Sequence, residues 1–419
     1  MTFEESKWYG ILPDYWKTSK LKYVVQLSRT KASEKTNYIG LENIESFTAR
    51  RVGEAIEPDG DAISFKPGDV LFGKLRPYLS KSLLVNESGC CSGEILVMSP
   101  TAIQAKYLLY MTLSTGFVND VDMSTYGTKM PRANWEYIGN MKIPVPTSNE
   151  QRAIVAYLDE KCAAIGESIQ KRKEIIEKLQ EYRKAVITQA VTKGLDPNVS
   201  VKDSHVPWLG QIGITCDTYK LKFGTYMKGR IGWQGLKAED FIDEGPYCVT
   251  STDFTNGKVD WNKSYHVSEE RYDMDPFIQL KKGDLLISKD GTIGKLAFID
   301  ELPGPACLNS HLLVLRPLTN RFSNEYLYHV LASNVFVQYY ELVSTGSTMQ
   351  SLSQEKLSNF VIPVWDRNTE KAIVQYLNKK CAEIDETLEK QQTIIDKLEE
   401  YKKSIIYNAV TGKIDCRPL

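Results

Sequence analysis

The stretch MKIPVPTSNEQRAIVAYLDEKCAAI, residues 141–165, returns at residues 360–384 as FVIPVWDRNTEKAIVQYLNKKCAEI. Aligned without a gap, residues 152–194 and 371–413 agree at roughly half of their positions, and many of the other positions hold conservative exchanges such as Arg183 for Lys402. Such agreement marks an internal duplication, and a fold for this chain has to place the same element twice. In the first copy Leu158, Cys162, Ile165, Ile169, Ile176, Leu179, Val186 and Ala190 follow alternating steps of three and four. The second repeats them as Leu377, Cys381, Ile384, Leu388, Ile395, Leu398, Ile405 and Ala409. Helices of about forty residues, about 60 Å long, with one apolar stripe and charge elsewhere follow a coiled-coil pattern. Each needs a long partner, and the other copy is the available one. Arg172, Gln391, Arg183 and Lys402 interrupt the seam, either by snorkelling or by setting its register. Asn149 and Glu150, with Asn368, Thr369 and Glu370, supply capping chemistry at the helix starts, and Gly194 and Gly412 act as stops.

Weaker echoes precede each helix. WYGILPDYWKTSKLK at Trp8 answers WLGQIGITCDTYKLK at Trp208, and FKPGDVLFGK at Phe65 answers LKKGDLLISK at Leu280. YGTKMPRANW at Tyr126 sits where TGSTMQSLSQ begins at Thr345. Between these echoes the halves have diverged almost fully. Short apolar runs among Gly, Pro, Asn and Asp turns read as strands, while KYLLYMTLSTGFVNDV and EYLYHVLASNVFVQYY read as helices. The expected fold class is α+β: two globular mixed α/β modules joined by two long antiparallel helices, with a pseudo-twofold internal repeat. The expected boundaries are a first module over 1–146, a long helix over 147–194, a linker and second module over 195–365, and a second long helix over 366–419. The linker GLDPNVSVKDSHVP shows no apolar period.

The search for catalytic chemistry is negative. DGTIGKLAF at Asp290 has too few residues between its glycines to cradle phosphates, and no methyl-donor fingerprint or exocyclic-amine pocket motif occurs. The four histidines, His205, His266, His311 and His329, stand in no hydrolytic motif. Eight scattered cysteines form no zinc spacing; adjacent Cys90 and Cys91 are either reactive thiols or packing residues. No apolar run is long enough to span a membrane and the first residues lack signal-peptide order, so the cytoplasm is the default address. A formal net charge of -1 leaves no bulk basic field for nucleic acid, so DNA binding would rest on local patches and on partners.

Such patches recur at matching places. In the first module Lys74, Arg76 and Tyr78 follow an expected strand, and Lys129 and Arg132 lie in a turn-rich loop. The second module offers Lys228, Arg230 and Trp233, then Lys289, Thr292 and Lys295, then Ser347, Thr348 and Gln350. Arginine on such a loop can read guanine, whereas lysine mostly meets phosphate. Composition alone favours a solvated surface loop for each cluster, and recurrence at matching places in both modules sets the DNA reading level with it.

Taken together, WYGILPDYW, KDSHVPWLGQI, the two IPV exits and the endings KLQEYRKAVITQAVTKG and KLEEYKKSIIYNAVTGK give a chain that resembles the specificity subunits of type I restriction-modification systems. The second exit departs from the family's usual form, with Trp365 for Pro and Glu370 where Gln151 stands. The resemblance implies two target recognition domains, each reading one half of an asymmetric, interrupted duplex site, and no chemistry in this chain. It implies docking of two modification subunits, which carry S-adenosylmethionine, on the repeated helices, with restriction subunits supplying ATP- and magnesium-dependent work. No cofactor or metal is then expected here. The seam positions Leu158, Ile165, Ile169, Ile176, Leu179, Leu377, Ile384, Leu388, Ile395 and Leu398 are the expected partner-binding and helix-pairing set. Like helices then serve like partners, and unlike interiors serve unlike half-sites. Lengthening both helices by about four residues, roughly 6 Å, is expected to widen the unread spacer by one or two base pairs. The alternative from another class is a coiled-coil structural adaptor whose two divergent modules bind proteins.

Overall fold

The computed structural model describes residues 8–54, 60–125, 130–230, 236–344 and 351–417. Two long helices dominate, Ser148–Lys193 and Arg367–Val410. Thr147 and Asp366 cap them, just ahead of the asparagines expected to do so. Thr147 donates its N–H and hydroxyl to Glu150 Oε2, and Asp366 Oδ1 accepts from the N–H groups of Asn368 and Thr369. At the second helix the Asp366 oxygen, one position ahead of the first turn, reaches the free N–H groups, and at the first the expected Glu150 reaches back from inside the turn while its own N–H donates to Thr147 Oγ1. Gly194 and Gly412 leave the helices with φ of 82° and 69°, a left-handed conformation that costs a Cβ-bearing residue about 1 kcal/mol or more.

The chain divides into two compact units, residues 1–174 with 391–419, and residues 175–390. Each unit holds one module, part of that module's own helix and part of the other helix. In the first, an antiparallel pair, Lys17–Lys20 with Lys142–Val145, brings the module's beginning back to its exit. A four-stranded antiparallel sheet runs in the order Val25–Ser28, Ile95–Pro100, Val70–Gly73, Ser82–Leu84. Beside it lies a small sheet of Tyr38–Ile39, Gly89–Ser92 and Ala62–Phe65. The second unit repeats the pair as Asp217–Lys220 with Val361–Val364. Its main sheet begins in the same order, Thr225–Lys228, Leu312–Pro317, Leu285–Ser288, Leu296–Phe298, and adds Lys258–Val259 and Phe254–Thr255. The expected linker is partly ordered, since Val201–Asp203 pairs with Gln211–Gly213.

The same side chains lock both units. Tyr107 is fully buried and its hydroxyl donates to Pro144 O and Val410 O, each at 3.2 Å. Tyr326 does the same to Pro363 O at 3.1 Å and Val191 O at 3.2 Å. Each tyrosine ties its module's exit strand to the end of the other long helix, and burial holds both phenols in the neutral donating form. Trp8 and Trp208 donate their indole N–H to Lys142 O and Val361 O. Gln151 accepts from Gln104 N, and Glu370 accepts from Ser323 N, so the Glu-for-Gln exchange keeps the local turn. Trp365, in place of proline, donates to Val191 O at 2.9 Å.

Each expected module helix is in fact two, Ala105–Leu113 with Thr115–Met123 and Asn324–Leu331 with Asn334–Ser344. Ser114 and Ser333 make the break, their hydroxyls bonding the carbonyls of Met111 and Val330 three residues back. Cys90 and Cys91 are fully buried, and burial pushes the Cys91 thiol up to about 12, so packing rather than reactivity is their role.

Along the seam Leu158, Ile165, Leu377, Ile384 and Ile395 are buried, while Ile169, Ile176, Leu179, Leu388 and Leu398 are partly so. Three of the four polar interruptions bond across the helix pair rather than reaching into water. Within the first unit Arg172 Nη1 donates to Gln391 Oε1 at 2.7 Å, and within the second Arg183 grips both oxygens of Asp385 at 2.9 and 3.3 Å.

Candidate nucleic-acid interface

The chain that leaves the strand Val70–Gly73 is stitched to two other segments. Lys74 donates its N–H to Glu94 O, Ala133 donates its N–H to Lys74 O, and Arg76 donates its N–H to Pro131 O, all at 2.8–2.9 Å. Leu75 pairs with Arg132 as an isolated antiparallel bridge. Four expected residues, Lys74, Arg76, Tyr78 and Arg132, therefore sit on one surface although Arg132 comes from a segment far along the chain from the other three. The turn Pro77–Leu79 is bounded by Arg76 and Ser80 at φ 52° and 46°, so two residues with side chains hold the left-handed region. That turn leaves Arg76 exposed and Tyr78 46 % exposed. Arg132 is half-buried and paired with Glu94 at 3.1 Å, which positions it more than it frees it. Lys81 is committed to Leu41 O at 2.6 Å. Lys129 lies outside the described residues.

The second unit uses the same frame. Lys289, just past the strand Leu285–Ser288, donates its N–H to His311 O at 2.9 Å, and its carbonyl accepts from Leu352 N at 2.8 Å. Ser288 Oγ accepts from Lys295 N and donates to Thr292 O, closing a turn that presents Thr292 and Lys295 to solvent. Lys228 is exposed and lies 5.7 Å from the Phe277 ring centroid. Trp233, Ser347, Thr348 and Gln350 lie outside the described residues.

Arg230 departs from expectation. It is 3 % exposed, its Nε donates to Leu308 O at 2.9 Å and its Nη2 meets Cys307 Sγ at 3.3 Å. A base edge cannot reach a guanidinium held this way, so its place is in the module's core. The local string KGRIGW carries no sign of that burial, because the partners lie on a strand more than seventy residues away.

Sequence reasoning also passed over the carboxylates that hold each frame in place. Asp69 and Asp284, one position ahead of the equivalent strands, are both 2 % exposed. Asp69 accepts from Lys66 N at 2.9 Å and Ser99 Oγ at 2.6 Å. Asp284 accepts from Lys281 N at 2.7 Å and takes both Arg316 nitrogens at 2.6 and 2.8 Å. The signal was present in the shared Gly-Asp of KPGD and KKGD.

The frame thus recurs, with a sheet terminus carrying polar and cationic side chains in each unit. A family model described as the type I restriction modification DNA specificity domain matches residues 13–178 and again residues 234–409. The chain belongs to that family of specificity subunits. Specificity subunits are the non-catalytic component of type I restriction-modification enzymes, and the cofactors belong to the modification and restriction subunits. The chain is 24 % identical over 377 residues to the MjaVIII specificity subunit of Methanocaldococcus jannaschii, spanning 84 % of this chain and 85 % of that one. It is 20 % identical over 320 residues to the EcoBI specificity subunit of Escherichia coli, 71 % of this chain and 64 % of that one. A solved structure from work on complex assembly and conformational transition of a type I system shares the fold, with a TM-score of 0.72 at 19 % identity, covering 96 % of this chain and all of that one. Among the described residues no helix is long and apolar enough to cross a membrane, and no three His, Cys, Asp or Glu side chains gather as metal ligands.

Proposed function

We propose that this specificity subunit selects an asymmetric, interrupted duplex sequence, the first module reading one half-site and the second the other. The observation that carries the reading is the repeated frame at Lys74 and Lys289. In both modules a main-chain N–H and C=O pin the residue after the same strand, and unlike side chains stand on that common support. Arg76 and Tyr78 on one turn, with Thr292 and Lys295 on the other, provide different donors and acceptors at a fixed backbone. Different sequences can then be read without altering the scaffold. Lys74, Lys228 and Lys289 contribute phosphate contacts, Arg132 steadies the first surface, and Lys129, Trp233, Ser347, Thr348 and Gln350 are proposed as further DNA-contacting residues by their chemistry.

The two repeated helices favour docking of two like modification subunits, which supply S-adenosylmethionine-dependent adenine methylation, with restriction subunits adding ATP- and magnesium-dependent cleavage. Since the seam residues are engaged in helix pairing, the docking surface falls on the outward faces. A cytoplasmic complex acting on the cell's own DNA needs little basic charge on this subunit, because its partners share the phosphate contacts. Footprinting of the co-purified complex on random duplexes, with mapping of methylated adenines, tests the reading. A bipartite protected site with methylation in both halves supports it. A complex that assembles yet protects no duplex points instead to the adaptor role.

A further inference from the structure

A comparison of the two helix copies exposes a missing charge. The alignment that sets Arg152 on Lys371 sets Arg183 on Lys402 and Asp385 on Gly166. In the second unit Arg183 has its carboxylate, Asp385, across the helix pair. In the first unit the corresponding cation, Lys402, faces a glycine and makes no ion pair among the described residues.

A cavity of about 260 Å³ opens at that place, and three more cations line it: Arg50, Lys173 and Lys403. None of these makes an ion pair among the described residues either, and the acidic lining is Glu45 and Glu399. Lys402 is partly buried, and burial, with Arg50 nearby, lowers its affinity for a proton despite Glu45 and Glu399. The loop that roofs the cavity is strained. Phe47 and Ala49 hold φ of 59° and 60°, and Phe47 N–H is anchored on Ser80 O at 3.1 Å. Non-glycine residues persist in that region only where the surroundings over-determine them, and such strain gathers at ligand sites. The Phe47 ring lies 4.3 Å from Lys403 Nζ and helps hold that ammonium in place.

We infer that this cavity binds a phosphate group, which supplies to Lys402 and its neighbours the negative charge that Asp385 supplies to Arg183. Four cations against two carboxylates leave a doubly positive lining, which suits a dianion better than a single carboxylate. The volume leaves room for whatever the phosphate is attached to. Its lining includes none of the proposed base-reading residues, so its test does not depend on the half-site assignment.

Thermal unfolding of the full chain, titrated with sodium pyrophosphate against sodium chloride at matched ionic strength, reads the binding. The expected result is a saturable rise in Tm with pyrophosphate beyond that with chloride. Gly166→Asp, which restores the carboxylate of the other copy, is expected to lose that rise and to melt higher than wild type in phosphate-free buffer. Gly166→Ala serves as the control: its added Cβ meets only the mobile tip of Arg50 at 3.1 Å, and it keeps the rise. Lys402→Met loses it. A duplex of arbitrary sequence that displaces pyrophosphate identifies a DNA backbone phosphate as the source, and a duplex that binds without displacement identifies a phosphate-bearing small molecule. Equal rises in wild type and Gly166→Asp, or none beyond chloride in wild type, overturn the site.

Discussion

Asp69 and Asp284 occupy one place in two versions of the same module, and they are satisfied in different currencies. The first unit surrounds its carboxylate with a backbone N–H and a serine hydroxyl, while the second adds to a backbone N–H a partly buried arginine. The same contrast recurs where a module helix meets its long helix. Tyr110 donates to Asp159 at 2.8 Å in the first unit, and His329 Nε2 bonds Asn378 Oδ1 at 2.8 Å at the aligned place in the second. Backbone geometry was kept through divergence, and the side-chain chemistry that satisfies it was rebuilt in each copy. Duplication therefore preserved where the chain must be pinned rather than how.

That contrast can be broken by mutation, and the largest effect is expected at the carboxylates. Asp284→Ala strands the Arg316 guanidinium, whose side chain is only 20 % exposed, and should cost about 3–5 kcal/mol. Asp69→Ala removes neutral hydrogen-bond partners and should cost about 1–3 kcal/mol. Urea unfolding midpoints of the two variants test this, and equal losses would erase the distinction between the units.

Acid should separate the units next. Burial, and then the nearby Arg183, holds His329 down to about 4 against the Asn378 bond, and its Nδ1 is buried without a partner. The unfolded imidazole, near 6.5, binds a proton that the folded one refuses. Stability is therefore full above pH 6.5 and falls as pH drops toward 4, by about 3 kcal/mol in all. His329→Tyr, which copies Tyr110, should flatten that slope over the same pH window in thermal melts. An unchanged slope would place the acid sensitivity elsewhere.

A smaller effect concerns reading. Arg76→Ala in the assembled complex should relax discrimination at one half-site by about 1–3 kcal/mol and leave the other half-site untouched, as measured by methylation of single-base variants. Arg230→Ala should instead lower stability without a base-specific signature, because its guanidinium lies among core atoms. Smallest of all is Asp385→Ala. Its partner Arg183 is partly exposed and Asp385 is 48 % exposed, so thermal melts should record no more than about 1 kcal/mol.

Local signals made much of the fold legible. The long helices, their glycine stops and the strands around KPGDVLFGK and LKKGDLLISK announce themselves by periodicity within a few turns of chain. The split of each module helix at Ser114 and Ser333 was not legible, since a serine inside an apolar run is neutral until its hydroxyl finds a carbonyl. Candidate site residues divided along the same line. Lys74, Arg76 and Tyr78 were placed correctly after a strand by local reading alone. Their union with Arg132, and the burial of Arg230, depend on partners that no local window contains.

Repetition in the chain determined that two like modules and two like helices had to form, because an apolar stripe of helical period can be buried only against a partner of similar length. Only the tertiary structure decided which of the candidate side chains stand exposed and which are withdrawn. Exposure of Arg76, withdrawal of Arg230 and the uncompensated charge at Lys402 are each set by atoms distant in sequence. The energy of a charge depends on what surrounds it in space, and neighbours along the chain leave that open.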